Sequence, residues 1–245
     1  MTEYPILTKA PISEALIDIR VKLPSSIGAK EIGSIYESIK VQYPQKKELI
    51  ISEVSVDIKS KEPVKSVGDN LNGYRCVTSD NKQVLQTRLD GFTFNRLHPY
   101  VSWEEFRNEA YRLWQIYKDV TSPESITHVA LRYINKVDIP LPIEDFADYL
   151  TAPPTVPEEL PQGVSSFLTR VVIPEPSIDA KAVITQALEQ IEKDSAPIIL
   201  DIDVYRHQPE GIKEEEAWET IDKLRNFKNK IFFNIITDKL KEIYK

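Results

Sequence analysis

The stretch THVALRYINKVDI, residues 127–139, decides how this chain reads. It has the composition of a strand closed by Pro140, with Arg132 and Ile134 on one side and Tyr133 and Asn135 on the other. A related stretch, EALIDIRVKL, occupies residues 14–23. There small apolar residues and Val21 alternate with the charged Asp18, Arg20 and Lys22 with a period of two, and Pro24 ends the run. The chain thus begins twice with the same kind of element.

Working outward from residues 14–23, Ile32, Ile35, Tyr36 and Ile39 fall at helical spacing within 29–41, and Pro44 stops the pattern. Alternation returns from Glu48 through Ile51, Val54, Val56 and Ile58 to a polar loop expected near Gly68-Asp69-Asn70. Strands follow over 74–78, 83–89 and 92–97. Asp90-Gly91 is a hairpin signal, because glycine tolerates the positive φ of tight turns. Ser102 and Glu105 have capping-box spacing ahead of a helix over 102–120, whose one face carries Trp103, Phe106, Ala110, Leu113 and Tyr117.

Outward from residues 127–139, the sequence predicts a short helix over 143–150. Prolines at 153, 154, 157 and 161 then imply an extended loop. Strands are expected over 167–173 and 197–205. Residues 182–191 fit either strand or helix, and comparison with the first half favours strand. A long helix from Glu215 to Asn229 or beyond buries Ala217, Ile221 and Leu224, and Thr237 caps a short terminal helix.

Phe94–Pro99 can be laid on Val204–Pro209, which brings Trp103 near Trp218. The expected fold is therefore α+β, with two tandem β-α-β-β-β-α-like units, 1–122 and 123–245, forming one two-lobed body. Each unit is expected to be an antiparallel sheet packed by its own long amphipathic helix. That order is similar to the saddle of the TATA-binding protein, although the acidic charge here opposes the same use.

Composition narrows the function. The 245 residues are 41% hydrophobic and 28% charged, the profile of a globular chain. A net charge of −7 argues against non-specific nucleic-acid binding, which draws on excess Lys and Arg. No apolar run approaches the roughly 20 residues of a membrane span. The N-terminal residues lack the pattern of a secretory signal, and a single cysteine, Cys76, permits no intrachain disulfide. These features point to a cytoplasmic protein. Dinucleotide and P-loop glycine patterns are absent, so no cofactor is expected.

Several polar sets are candidate sites. Asp201 and Asp203 share one strand face and either hold a divalent cation or pair with Arg132, Lys136 or a helix cation. Arg132 on a sheet face either grips an anion or answers a carboxylate. His98 and His207, beside Arg96 and Arg206, precede helices, where they read either as an anion site or as ordinary turns ahead of Pro99 and Pro209. In the C-terminal helix, Lys223, Arg225, Lys228 and Lys230 follow an acidic first turn. That segregation suits the helix dipole, or a docking surface for an acidic partner.

A set of short motifs spans nearly the whole chain. It comprises Ala10-Pro11-Ile12-x-Glu14-Ala15, Asp90-Gly91-Phe92 with Arg96-Leu97, Pro99-Tyr100 with Trp103 and Phe106, Arg132-Tyr133-Ile134-Asn135, Leu200-Asp201-Ile202-Asp203, and Leu224-Arg225, Lys228-Asn229 and Phe232-Phe233. Together they resemble a sporadically distributed prokaryotic family of unknown function. The resemblance implies one family unit of about this length and supplies no catalytic residue. A patchy distribution suits an accessory role, such as a partner of a toxin or a defence component. The expected function is a non-enzymatic protein-binding protein, with a protein partner or a second copy of itself as the occupant. The alternatives are a small-anion or nucleotide binder using the Arg and His set, and a metal-dependent nuclease using Asp201 and Asp203.

Overall fold

The computed structural model describes residues 4–55, 65–188 and 190–245. Along the chain run β1 (Ile12–Lys22), α1 (Ala29–Ile39), β2 (Gln45–Ser55), β3 (Lys65–Val77), β4 (Gln83–Arg88), β5 (Gly91–Leu97) and α2 (Trp103–Thr121). They are followed by β6 (Ser125–Pro140), β7 (Phe167–Glu175), β8 (Ala180–Leu188), β9 (Ser195–Ile212), α3 (Glu214–Ile235) and α4 (Asp238–Ile243).

The strands form one nine-stranded sheet in the order β2-β3-β4-β5-β1-β6-β9-β8-β7, with every described pairing antiparallel. This corrects the expectation of two tandem sheets, each packed by its own helix. The seam is β1 against β6, with Ile17 opposite Leu131 and Ile19 opposite Val129. Two separate sheets would leave β1 and β6 as long edges with unpaired N–H and C=O groups, and pairing them removes both edges at once. The quoted stretches 14–23 and 127–139 are thus neighbours rather than starts of separate sheets.

Register fixes what each face carries. Leu85, Phe94, Ile17, Leu131 and Val204 form one row across β4, β5, β1, β6 and β9, and all are buried in a single core. The three long helices cover that face: α1 lies on β3 and β4, α2 on β5 and against α1, and α3 on β6 and β9. Arg107 of α2 forks onto Asp222 of α3 at 3.0 and 2.9 Å, which ties the helices into one layer. Leu16 shares the opposite face with Asp18 and Arg20, and no described helix packs there.

Local chemistry explains most boundaries. Ser102 Oγ accepts the Glu105 N–H at 3.1 Å and starts α2, whose buried stripe is Trp103, Phe106, Ala110, Leu113, Trp114 and Tyr117. Gly91 has φ +154°, and a Cβ there would lie 2.3 Å from the Ile19 carbonyl oxygen, so the β4–β5 turn needs glycine. Thr237 caps α4 through the Leu240 N–H at 3.3 Å.

Two local expectations change, and the strand favoured within 182–191 is present. The helix expected over 143–150 is one 3-10 turn at Phe146–Asp148, capped by Asp145, after which Leu150 bridges to Ile236. Leu150 N–H still donates to the Phe146 carbonyl at 2.9 Å, but the next backbone N–H, from Thr151, goes to the Ile235 carbonyl at 2.8 Å, so the chain is drawn to the end of α3 instead of continuing a helix. Gly68–Asn70 lie inside β3 rather than in a loop, while Val56 and Ile58 fall outside the described residues. Residues 180–188 are strand β8, because both edges find partners in β7 and β9. No described helix is long and apolar enough to cross a membrane.

Candidate functional site

The residues singled out in the sequence do not gather in one place. Arg96 and Arg206 lie on the helix-covered face but in different surroundings. Arg96 Nε donates to the Pro99 carbonyl at 3.3 Å beside a cavity of about 400 Å³ near the start of α2. Arg206 fastens β9 to α3 through Glu216 at 2.7 Å, and its Nε lies 3.3 Å from Asp179 without hydrogen-bond alignment. His98 is exposed, its Nδ1 3.4 Å from the Ile12 carbonyl oxygen. Only Arg132, Asp201, Asp203 and His207 share the open face of the sheet.

On that face Arg132 donates both arms of its fork to Asp201, at 2.8 and 2.6 Å. Its direct cross-strand neighbour is Asp203, so the long side chain reaches the diagonal carboxylate instead. Asp203 makes no hydrogen bond or ion pair among the described residues. Burial raises its pKa to about 6, opposed by Arg132 and reinforced by Asp201 and Asp18. Among the described residues no three His, Cys, Asp or Glu side chains are placed to hold a metal ion.

The same face carries a paired network on β1, β4 and β5. Arg88 donates to Asp18 at 2.9 Å and to Asp90 at 3.0 Å, while Arg20 donates to Asp18 at 2.7 Å. Burial alone would raise the Asp18 pKa, but the Thr93 hydroxyl, Arg20 and Arg88 outweigh it and hold the carboxyl below its usual range. His128 and His207 face each other across β6 and β9 with ring centroids 5.8 Å apart. A groove of about 520 Å³ runs among these groups.

A second cavity, of about 190 Å³, lies between α3, β6 and the chain before β1. Tyr100, Trp103, Tyr133, Phe232 and Phe233 supply aromatic walls, and Tyr4 closes one side by stacking on Phe233 at 5.0 Å. The Tyr100 and Tyr133 hydroxyls hydrogen-bond at 2.8 Å. Pro11 accepts the Lys136 N–H at 2.9 Å and Lys9 donates its N–H to Tyr244 at 3.2 Å, which fixes the segment over the cavity.

Two cations face this cavity. Lys228 is only 8% exposed, with Nζ 3.9 Å above the Tyr133 ring. The Arg225 guanidinium lies 5.2 Å over Trp103. Neither forms an ion pair or donates a hydrogen bond among the described residues. Burial, and then the like charge of Arg225, push the Lys228 pKa down to about 7. Sequence reading placed both in a basic C-terminal segment of the helix and missed their inward aim. The signal was present: Ala217, Ile221, Leu224, Lys228 and Ile231 follow one helical stripe, so Lys228 stands at a core position.

The short motifs behind the family resemblance supply much of this cavity: Ala10-Pro11-Ile12, Tyr100, Trp103, Tyr133, Asn135, Arg225, Lys228-Asn229 and Phe232-Phe233. No protein-family model matches the chain, and no curated protein is significantly similar to it.

Proposed function

We propose that the chain is a non-enzymatic binding protein that holds a small organic anion, a carboxylate or phosphate on a flat apolar body, in the cavity of Arg225 and Lys228. The observation that carries this reading is the pair of cations facing one cavity without an acidic partner among the described residues. A buried ammonium is costly unless a counter-charge compensates it, and an anion would do so for both groups. The aromatic walls favour a planar body beside the charge. Titration of the full chain with phenyl phosphate and benzoate, with benzylamine as control, tests it by calorimetry. Binding of the anions is expected, weakened about tenfold or more by Lys228→Met or Arg225→Met, while benzylamine does not bind. Equal response to all three compounds would defeat the reading.

A second reading keeps the protein-partner expectation. On the edge strand β7, Leu168, Val171 and Val172 are exposed, Leu168 at 73%, beside an open row of backbone donors and acceptors. Such an edge can accept a strand from a second copy. In this reading the chain self-associates with concentration, and Val171→Lys abolishes the dimer in light scattering. A wild-type chain that stays monomeric at high concentration would remove it.

A further inference from the structure

Lys228 has the surroundings of a reactive amine. It stands at a core position of α3, 8% exposed, and among the described residues no carboxylate pairs with it and no acceptor takes its N–H groups. Burial without a counter-charge disfavours the ammonium, and the Arg225 guanidinium, one turn away on the same helix, disfavours it again. The Tyr133 ring, 3.9 Å from Nζ, favours the charged form, but a ring face returns less than burial of an ion removes. With its pKa at about 7, the amine has a free electron pair on a large share of molecules at neutral pH, where an ordinary lysine, near about 10.4, has almost none. Desolvation beside a second cation is the arrangement that activates a lysine for imine formation.

The rest of the cavity suits a carbonyl partner. Arg225, over Trp103, is left as the cation for a carboxylate. The Tyr100 and Tyr133 hydroxyls use one proton in the bond between them, so the second proton of the pair is available to an oxygen in the cavity. The aromatic walls receive a flat apolar remainder.

We infer that Lys228 holds an aromatic oxo acid as a reversible imine, with the ligand's carboxylate on Arg225 and its carbonyl carbon at Nζ. The inference rests on the anion reading of this cavity and names the class of anion. The nitrogen lone pair attacks the carbonyl carbon, and the carbonyl π pair moves to the oxygen. The two protons of the amine then leave with that oxygen as one water molecule, and a C=N bond remains. Nothing is oxidised or reduced, and hydrolysis by the reverse steps frees the ligand.

Incubation of the full chain with phenylpyruvate near neutral pH, followed by borohydride reduction and peptide mapping by mass spectrometry, tests this. The expected adduct adds the mass of the acid less one oxygen, at Lys228 and not at exposed lysines such as Lys40 and Lys245. Phenyllactate, which has no ketone, gives none, and phenylacetone, which has no carboxylate, gives about tenfold less. Lys228→Met removes the adduct and Arg225→Met lowers it about tenfold, with circular dichroism confirming that both variants fold. Exchange of the ketone oxygen with isotopically labelled water reads the same imine without a trapping reagent, and the wild-type chain accelerates it while Lys228→Met does not. Binding of benzoate and phenyl phosphate with neither adduct nor exchange overturns this inference and leaves the anion reading standing. Adduct spread evenly over exposed lysines, or exchange unchanged in Lys228→Met, overturns it too. If none of these acids binds, both readings fall.

Discussion

Lys228 occupies a core position of α3 with its ammonium turned to a cavity, and its titration should be visible in stability. The folded pKa of about 7 lies below the value of about 10.4 expected in the unfolded chain. Between those values the unfolded state carries the extra proton, so stability rises with pH across that window. Below about pH 7 the full penalty applies. Lys228→Met should therefore stabilise the protein by roughly 3–5 kcal/mol near neutral pH, with the gain fading towards pH 11, as read by denaturant unfolding at several pH values. Asp203 has the opposite sense. Its folded pKa of about 6 exceeds the unfolded value, so stability falls as pH rises from about 4 to 6, and Asp203→Asn should gain roughly 1–3 kcal/mol above that range. The alternation of 201–205 was legible in the sequence. Which carboxylate Arg132 would take was not, because a diagonal contact depends on register across two strands.

At the scale of elements, the helices were legible because their signals are local. The Ser102 cap and the aromatic stripe of α2 lie within a few residues of each other, and Ser102→Ala should cost about 1 kcal/mol in denaturant unfolding. The Asp90-Gly91 signal was local too. Gly91→Ala puts a methyl against the Ile19 backbone at a φ that favours glycine, and should lower the thermal midpoint by several degrees. Residues 180–188 and 143–150 were harder for the same physical reason. Val183, Ala187 and their neighbours carry no intrinsic preference strong enough to choose, and the choice falls to β7 and β9 alongside. In 143–150 the Leu150 bridge to Ile236 and the Thr151 bond to Ile235 override a weak helical pattern.

For the whole molecule, the decisive contact is the one between β1 and β6, more than a hundred residues apart in sequence. Periodicity identified both strands but says nothing about which strands pair, so two sheets and one sheet read alike. A single sheet with one continuous core should melt as one unit, with calorimetric and van't Hoff enthalpies in agreement. Two resolved transitions would contradict it. The central place of β1 also has a meaning on the ribosome. β1 is complete at Lys22, but its neighbour β6 begins only at Ser125, so at about 5–20 residues per second the strand waits roughly 5–20 s for its partner. During that interval the earliest-made strand presents an open edge, and chaperone occupancy of nascent chains should fall once residues 125–140 have emerged.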